Sequence, residues 1–392
     1  MDATGLVYLE LGLIFVGITL LGAVARKIGL SPIPLYLLAG LVFGEGGMAP
    51  VVASDGFVTI AAELGVLLLL LTLGLEFSPD ELSSSLRRHR PSGLIDLVLN
   101  ATPGVIIALL IGLPWPAAVA MGGLTWVTSS GIVAQLLSDL ERTPNRETPA
   151  ILSVLVLEDL AMAIFLPILL VVLAGGGFVQ ALGGIALAVG AVSLALFAAT
   201  RGSRRIGQML THRQDEQVML RVLALTLLVA AATHALGASA AVGAFLVGIA
   251  VPGVLAERAR MILGPQRDLF AAIFFVAFGL QTNPGELAPH LGVGAVLAVL
   301  TTVTKVATGW YAARREGVGP RGRLRAGFTL VPRGEFSIVI AGLAVTAGYV
   351  KVGLIATAYV MMLAVVGPVL ARVSDSVADR IFAPPPLPPV AG

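Results

Sequence analysis

The chain has 392 residues, of which 57% are hydrophobic and only 12% charged, with a mean hydropathy of +0.95. Soluble domains carry about 25% charged residues, so this composition excludes an ordinary water-soluble globule. The net charge of +2 says little, and the absence of cysteine excludes disulfides, thiolate metal sites and a cysteine nucleophile.

The stretch Met1 to Glu10 has acids and no basic region, so a retained first span is expected rather than a cleaved signal peptide. A bilayer core of about 30 Å takes roughly 20 apolar residues in a helix. That ruler predicts thirteen segments, near 6–26, 31–44, 57–77, 91–112, 116–138, 148–173, 178–200, 218–236, 239–252, 268–282, 291–313, 323–346 and 351–372. The second, ninth and tenth are short, as helices packed inside protein can be. The 46 glycines and 23 prolines fit this class, because membrane helices tolerate both.

Basic residues follow every odd-numbered segment. Arg26 and Lys27 follow the first, Arg87, Arg88 and Arg90 the third, Arg142 and Arg146 the fifth. Arg201, Arg204, Arg205 and Arg213 follow the seventh, and Arg258, Arg260 and Arg267 the ninth. Arg314, Arg315, Arg321, Arg323 and Arg325 surround the loop after the eleventh, and Arg372 and Arg380 follow the last. The even-numbered loops hold Lys351 alone. Positive charge stays inside, which predicts a multi-pass protein of the inner (plasma) membrane with its N-terminus outside and its C-terminus cytoplasmic.

The two halves resemble each other. Leu73-Gly74-Leu75-Glu76-Phe77-Ser78-Pro79-Asp80-Glu81-Leu82 aligns with Phe278-Gly279-Leu280-Gln281-Thr282-Asn283-Pro284-Gly285-Glu286-Leu287 at an offset of 205. That offset pairs segments one to six with eight to thirteen, and the odd linker segment gives the halves opposite topology. Inverted repeats point to an alternating-access transporter with its site on broken helices at the midplane. Residues 1–200 then hold the first repeat and linker helix, 201–372 the second, and 373–392 a Pro-rich cytoplasmic tail expected to be disordered.

Charges inside membrane helices are costly and need a reason. Glu158 and Asp159 lie in the middle of segment six, Lys305 in segment eleven, Arg333 and Glu335 in segment twelve. Adjacent helix residues point about 100° apart, so one carboxylate can face a cavity while the other meets a neighbouring helix. A proton and a small cation compete for one negative charge in such a place, which suits exchange. The plainer reading is an ion pair with Lys305 or Arg333 that only fixes packing. In segment five, Thr128-Ser129-Ser130-Gly131 is poor helix interior and offers hard oxygen ligands if unwound; ordinary back-bonding to the helix is the alternative. The offset of 205 carries Thr128 to Arg333, inside Val331-Pro332-Arg333-Gly334-Glu335, where Pro and Gly also argue for a break. Two interruptions at matching positions predict crossed discontinuous helices. Their opposed ends carry about half a charge each. Lys305 can offset the negative ends and Glu335 the positive ones, or Lys305 can pair with Glu158; both remain open. Glu63, Asp96 and Asn100 also lie within spans, with Asp96 expected near the cytoplasmic end and in water, and His234 near the outer end of segment eight.

Together, Thr128-Ser129-Ser130, Leu157-Glu158-Asp159, Gly243-Ala244-Phe245-Leu246-Val247-Gly248, Phe274-Phe275-Val276-Ala277-Phe278-Gly279-Leu280 and Arg333-Gly334-Glu335-Phe336 resemble the monovalent cation:proton antiporter-2 family. It includes Kef-type potassium efflux antiporters and bacterial sodium/proton antiporters, and the resemblance covers nearly the whole chain. It implies a dimerisation domain and a core domain that moves like an elevator. It also implies that Asp159 carries cation and proton, assisted by Thr128 and Ser130, with Lys305 near the acid pair. Glu158 is one methylene longer than the Asp that electrogenic relatives carry there.

The expected fold is therefore an all-α polytopic membrane protein of about thirteen helices in two inverted six-helix repeats. The expected function is antiport of potassium or sodium against protons, without enzymatic chemistry and without a cofactor. The cation is expected at Asp159, Thr128 and Ser130, with Glu158 and Ser129 in the same site. Expected partners are a second copy in a homodimer, the lipid bilayer and a separate cytoplasmic regulatory subunit, and no nucleic acid. A sodium-coupled organic solute symporter on a similar fold is the rival; a cation channel fits less well.

Overall fold

The computed structural model describes residues 3–28, 32–44, 55–75, 79–174, 190, 203–235 and 240–382, and among these residues no strand occurs. The first half contains α1 (Ala3–Ile28), α2 (Ile33–Phe43), α3 (Asp55–Leu75), α4 (Pro79–Leu110), α5 (Trp115–Trp126), α6 (Ser130–Asp139) and α7 (Thr148–Leu173). A short α8 (Ser203–Leu210) leads to α9 (Asp215–Ala235), α10 (Ala240–Ala250) and α11 (Gly253–Leu280). After a single turn at Pro284–Leu287 come α12 (Leu291–Arg315), α13 (Pro320–Thr329), α14 (Glu335–Thr346) and α15 (Val350–Ile381). Eight spans among the described residues are long and apolar enough to cross a bilayer. Large apolar side chains also point outward, among them Leu110, Leu228 and Val299. A surface this greasy is stable in lipid and unstable in water, so this is a membrane protein.

Helix bounds repeat at one spacing. The starts of α5 and α13 (115 and 320), the starts of α6 and α14 (130 and 335), the ends of α4 and α12 (110 and 315) and the ends of α3 and α11 (75 and 280) each differ by 205. Close packing obeys the same rule. A Cβ on Gly40 would lie 2.6 Å from the Cα of Gly279, and one on Gly74 would lie 2.9 Å from the Cα of Gly248. Gly74 and Gly279 are themselves 205 apart, so α2 meets α11 and α3 meets α10 through related backbone contacts that only glycine permits.

Several expectations need correction. Segment ten is not short: α11 runs 28 residues and carries Arg258, Arg260 and Arg267 on helix rather than in a loop. Hydropathy stops at these charges, but the run of Ala, Leu, Glu and Arg favours helix, and Arg258 pairs with Asp215 at 2.5 Å. For the same reason α4 begins well before residue 91 and α15 continues to Ile381, nine residues into the tail expected to be disordered. Segment seven (178–200, apart from residue 190) and the tail from 383 lie outside the described residues, as does Glu76 of the repeat motif.

Candidate functional site at the helix crossing

Segments five and twelve are each broken, and the breaks cross. The helix of α5 stops at Trp126, Val127 turns extended, and α6 starts at Ser130. The helix of α13 stops at Thr329, and α14 starts at Glu335 after Pro332, whose ring cannot continue the hydrogen-bond ladder. The Ser129 amide donates to the Pro332 carbonyl at 3.0 Å, tying the two breaks together. Gly334 is required by this approach, because a Cβ there would stand 2.6 Å from Ser129 Oγ.

Four half-helix ends meet at the crossing, two negative and two positive. Arg333, fully buried, serves the negative pair: Nη2 donates to Thr125 O at 2.9 Å, and Nη1 to Val331 O at 2.9 Å and Leu330 O at 3.3 Å. Glu335 serves the positive pair. It accepts from Ser129 Oγ at 2.7 Å and from the Gly131 amide at 3.5 Å, while standing in the first turn of α14. Lys305 takes no part in either. Of its two possible placements, the pairing with Glu158 is the one observed.

Lys305 Nζ lies 2.6 Å from Glu158 Oε1 and 2.6 Å from Asp96 Oδ1, with all three residues 1% exposed or less. Glu158 also accepts from the Thr128 amide through Oε2 and from Thr128 Oγ1 at 3.0 Å through Oε1. Asp96 accepts from Trp126 Nε1 at 2.7 Å and from Asn100 Nδ2 at 2.9 Å. Asn100 is held in turn by Thr304 Oγ1 at 2.7 Å and Thr308 Oγ1 at 3.0 Å. Tyr359, buried on α15, donates to Thr301 Oγ1 at 2.9 Å. Asp159, next to Glu158 on α7, is half-buried, as is Ser130 at the start of α6. Thus Glu158, Thr128 and Lys305 come together, Ser129 pairs with Glu335, Arg333 faces the helix-end carbonyls, and Asp159 is more accessible than its neighbour.

The expectation that Asp96 sits in water is wrong. The side chain turns inward onto Lys305, so residue depth along the helix was a poor guide to wetting. Two signals in the sequence point to this network. Thr301, Thr304, Lys305 and Thr308 are spaced to share one helix face, and Asp96 and Asn100 sit four residues apart on α4. The offset of 205 also carries Asp96 to Thr301 and Asn100 to Lys305, so α4 and α12 present related polar stripes to each other.

Comparison with known proteins places this geometry. The family model for the transmembrane part of sodium/hydrogen exchangers matches residues 13–373. The K(+)/H(+) antiporter subunit KhtU of Bacillus subtilis is 30% identical over 380 residues, covering 94% of this chain and 93% of that protein. The ammonium/H(+) antiporter subunit AmhT of Alkalihalophilus pseudofirmus is 28% identical over 381 residues, covering 95% and 94%. Among solved structures, the sodium proton antiporter MjNhaP1 from Methanocaldococcus jannaschii superposes with a TM-score of 0.71 at 19% identity, over 97% of this chain and all of that one. That last likeness is one of fold.

Proposed function

The chain belongs to the sodium/hydrogen exchanger transmembrane family, and from that premise we propose that it is a secondary antiporter exchanging a monovalent cation, potassium or sodium, for protons. The observation that carries the proposal is the crossing itself: two helices broken at related positions, their end charges met by Arg333 and Glu335, beside an acid pair on α7. The charge left over at such a crossing belongs to carboxylates, and a carboxylate that is only half-buried can exchange a proton for a cation. Asp159 is that group. Oxygens near the start of α6, those of Thr128 and Ser130, complete the cation's shell. Relatives that are named for potassium and for ammonium support a monovalent rather than a divalent ion. The close approach of Gly334 to the Ser129 side chain, with the Ser129 amide bonded to the Pro332 carbonyl at 3.0 Å, favours an ion over an organic solute, because no roomy chamber fits between segments so near.

The same premise supports two inverted repeats, 1–200 with the linker helix and 201–372, related by the spacing of 205 and working by alternating access. The distribution of basic residues supports a cytoplasmic C-terminus in the plasma membrane, and the family resemblance supports a homodimer. Relatives named as antiporter subunits support a separate regulatory partner.

The test is cation-induced collapse of ΔpH in inside-out vesicles, with wild type and Asp159→Asn and with potassium, sodium and lithium added separately. Proton efflux that depends on a cation and vanishes in the variant is expected. No response to any cation, from protein shown to be folded and inserted, would refute antiport.

A further inference from the structure

Lys305 is one ammonium between two carboxylates, and that sharing has a mechanical consequence. Arg333 and Glu335 are occupied by the helix ends, so among the described residues the formal charges that meet at Lys305 are those of Asp96, Glu158 and Lys305 itself, a sum of minus one. Both carboxylates hold Lys305 at the same distance of 2.6 Å. Their other partners differ in place. Asp96 is fastened from two sides by Trp126 Nε1 and Asn100 Nδ2, on α5 and α4, and Asn100 is itself fastened by Thr304 and Thr308. Glu158 is fastened by Thr128, a residue of the non-helical break between α5 and α6, and it adjoins Asp159 on α7. One anion is thus clamped by α4 and the last residue of α5, and the other is held within the break itself.

An ammonium left in a dry interior without a counter-charge is strongly unfavourable, so an acid that is the sole partner of a buried lysine cannot leave it. Asp96 removes that constraint. We propose that Asp96 is a positioning residue that keeps Lys305 compensated, so that Glu158 can leave Lys305 and join Asp159 in holding the cation. In this exchange of partners Lys305 keeps its proton and its place throughout, Asp96 never touches the cation, and no covalent bond changes. The inference rests on the cation site placed at Asp159 under Proposed function, and it adds a residue outside the acid pair and outside the helix breaks.

The consequence is specific. With Asp96 neutral, Glu158 becomes the only counter-charge of Lys305 among the described residues, and each cation must compete with that ion pair. Asp96→Asn should raise the half-saturating cation concentration about tenfold, which corresponds to about 1.4 kcal/mol. Asp96→Glu, which restores the charge, should return it to within about threefold of wild type. The loss should disappear once Glu158 has no charge to be trapped: in a Glu158→Gln background, Asp96→Asn should shift half-saturation by less than about threefold. This non-additivity is the signature of acting through a shared partner. A purely structural role for Asp96 would not produce it.

The experiment measures half-saturation for potassium and sodium in proteoliposomes carrying the full chain, for wild type, Asp96→Asn, Asp96→Glu, Glu158→Gln and the Asp96→Asn/Glu158→Gln double variant. Where Glu158→Gln turns over too slowly, cation-dependent thermal stabilisation in detergent supplies the same constant. Asp96→Thr stands in if Asp96→Asn does not fold. An unchanged half-saturation in Asp96→Asn, or an equal shift in both backgrounds, overturns the inference while leaving antiport intact. A wild type that exchanges no cation overturns antiport, and the inference falls with it.

Discussion

Replacing Arg333 by Met keeps the length of the side chain and removes its donors. The guanidinium makes two bonds of 2.9 Å, to Thr125 O and Val331 O, and longer ones of 3.3 Å to Leu330 O and 3.5 Å to Pro332 O. Thr125 O lies in the last turn of α5 and Leu330 O at the residue that caps α13, where carbonyls have no partner of their own within the helix. A buried polar group stripped of its partner costs about 1–3 kcal/mol. Two well-formed bonds lost at a fully buried place therefore predict a destabilisation of about 4 kcal/mol, a substantial part of what holds a domain together. Arg333→Lys keeps the charge near the negative ends but cannot reach two directions with a planar fork. It should lose about half as much, roughly 2 kcal/mol. The assay is thermal unfolding of purified protein in detergent, followed by loss of monodispersity, with midpoints ordered wild type, Arg333→Lys, Arg333→Met. If the Met variant melts with the wild type, Arg333 does not hold the crossing. If the Lys and Met variants coincide, charge plays no part and only the fork geometry matters.

Gly334→Ala should be poorly tolerated, because its methyl would stand 2.6 Å from Ser129 Oγ and 2.9 Å from Ser129 Cβ. A loss of about 1–3 kcal/mol is expected, and Ser129→Gly in the same chain should recover much of it; melting of the single and double variants checks this. Arg142, nearly buried after α6, donates to Asp375 Oδ2 at 2.6 Å and to Ala371 O at 2.9 Å on α15. Arg142→Gln should therefore lower the melting midpoint more than Asp375→Asn, since Asp375 is half exposed and water can replace its partner. Equal losses in the two variants would show that the ion pair, rather than the bond to the backbone of α15, carries the contact.

The membrane class, the breaks and the acid pair are legible in the sequence because each rests on local chemistry. Apolar runs of bilayer length, Pro332 beside Gly334, hydroxyls at 128–130 and two acids in an apolar helix need no knowledge of the fold to be noticed. Helix ends were less legible. A hydropathy ruler stops where charge begins, whereas α11 and α15 continue as helix through charged residues that pair with Asp215 or with Arg142.

Local sequence marks Glu158, Asp159, Lys305, Arg333 and Glu335 as charges in spans that do not tolerate charge. Which charge meets which was decided only by tertiary structure. Arg333 and Lys305 are both cations in apolar spans, and nothing local says that one faces backbone carbonyls and the other two carboxylates. That choice follows from the crossing, which brings the ends of α5 and α13 to Arg333, and from the packing of α4 on α12, which turns Asp96 inward onto Lys305. The physical reason is range: a helix break is set by residues within a few positions, while the partner of a buried charge is whatever distant chain the fold places within 3 Å of it.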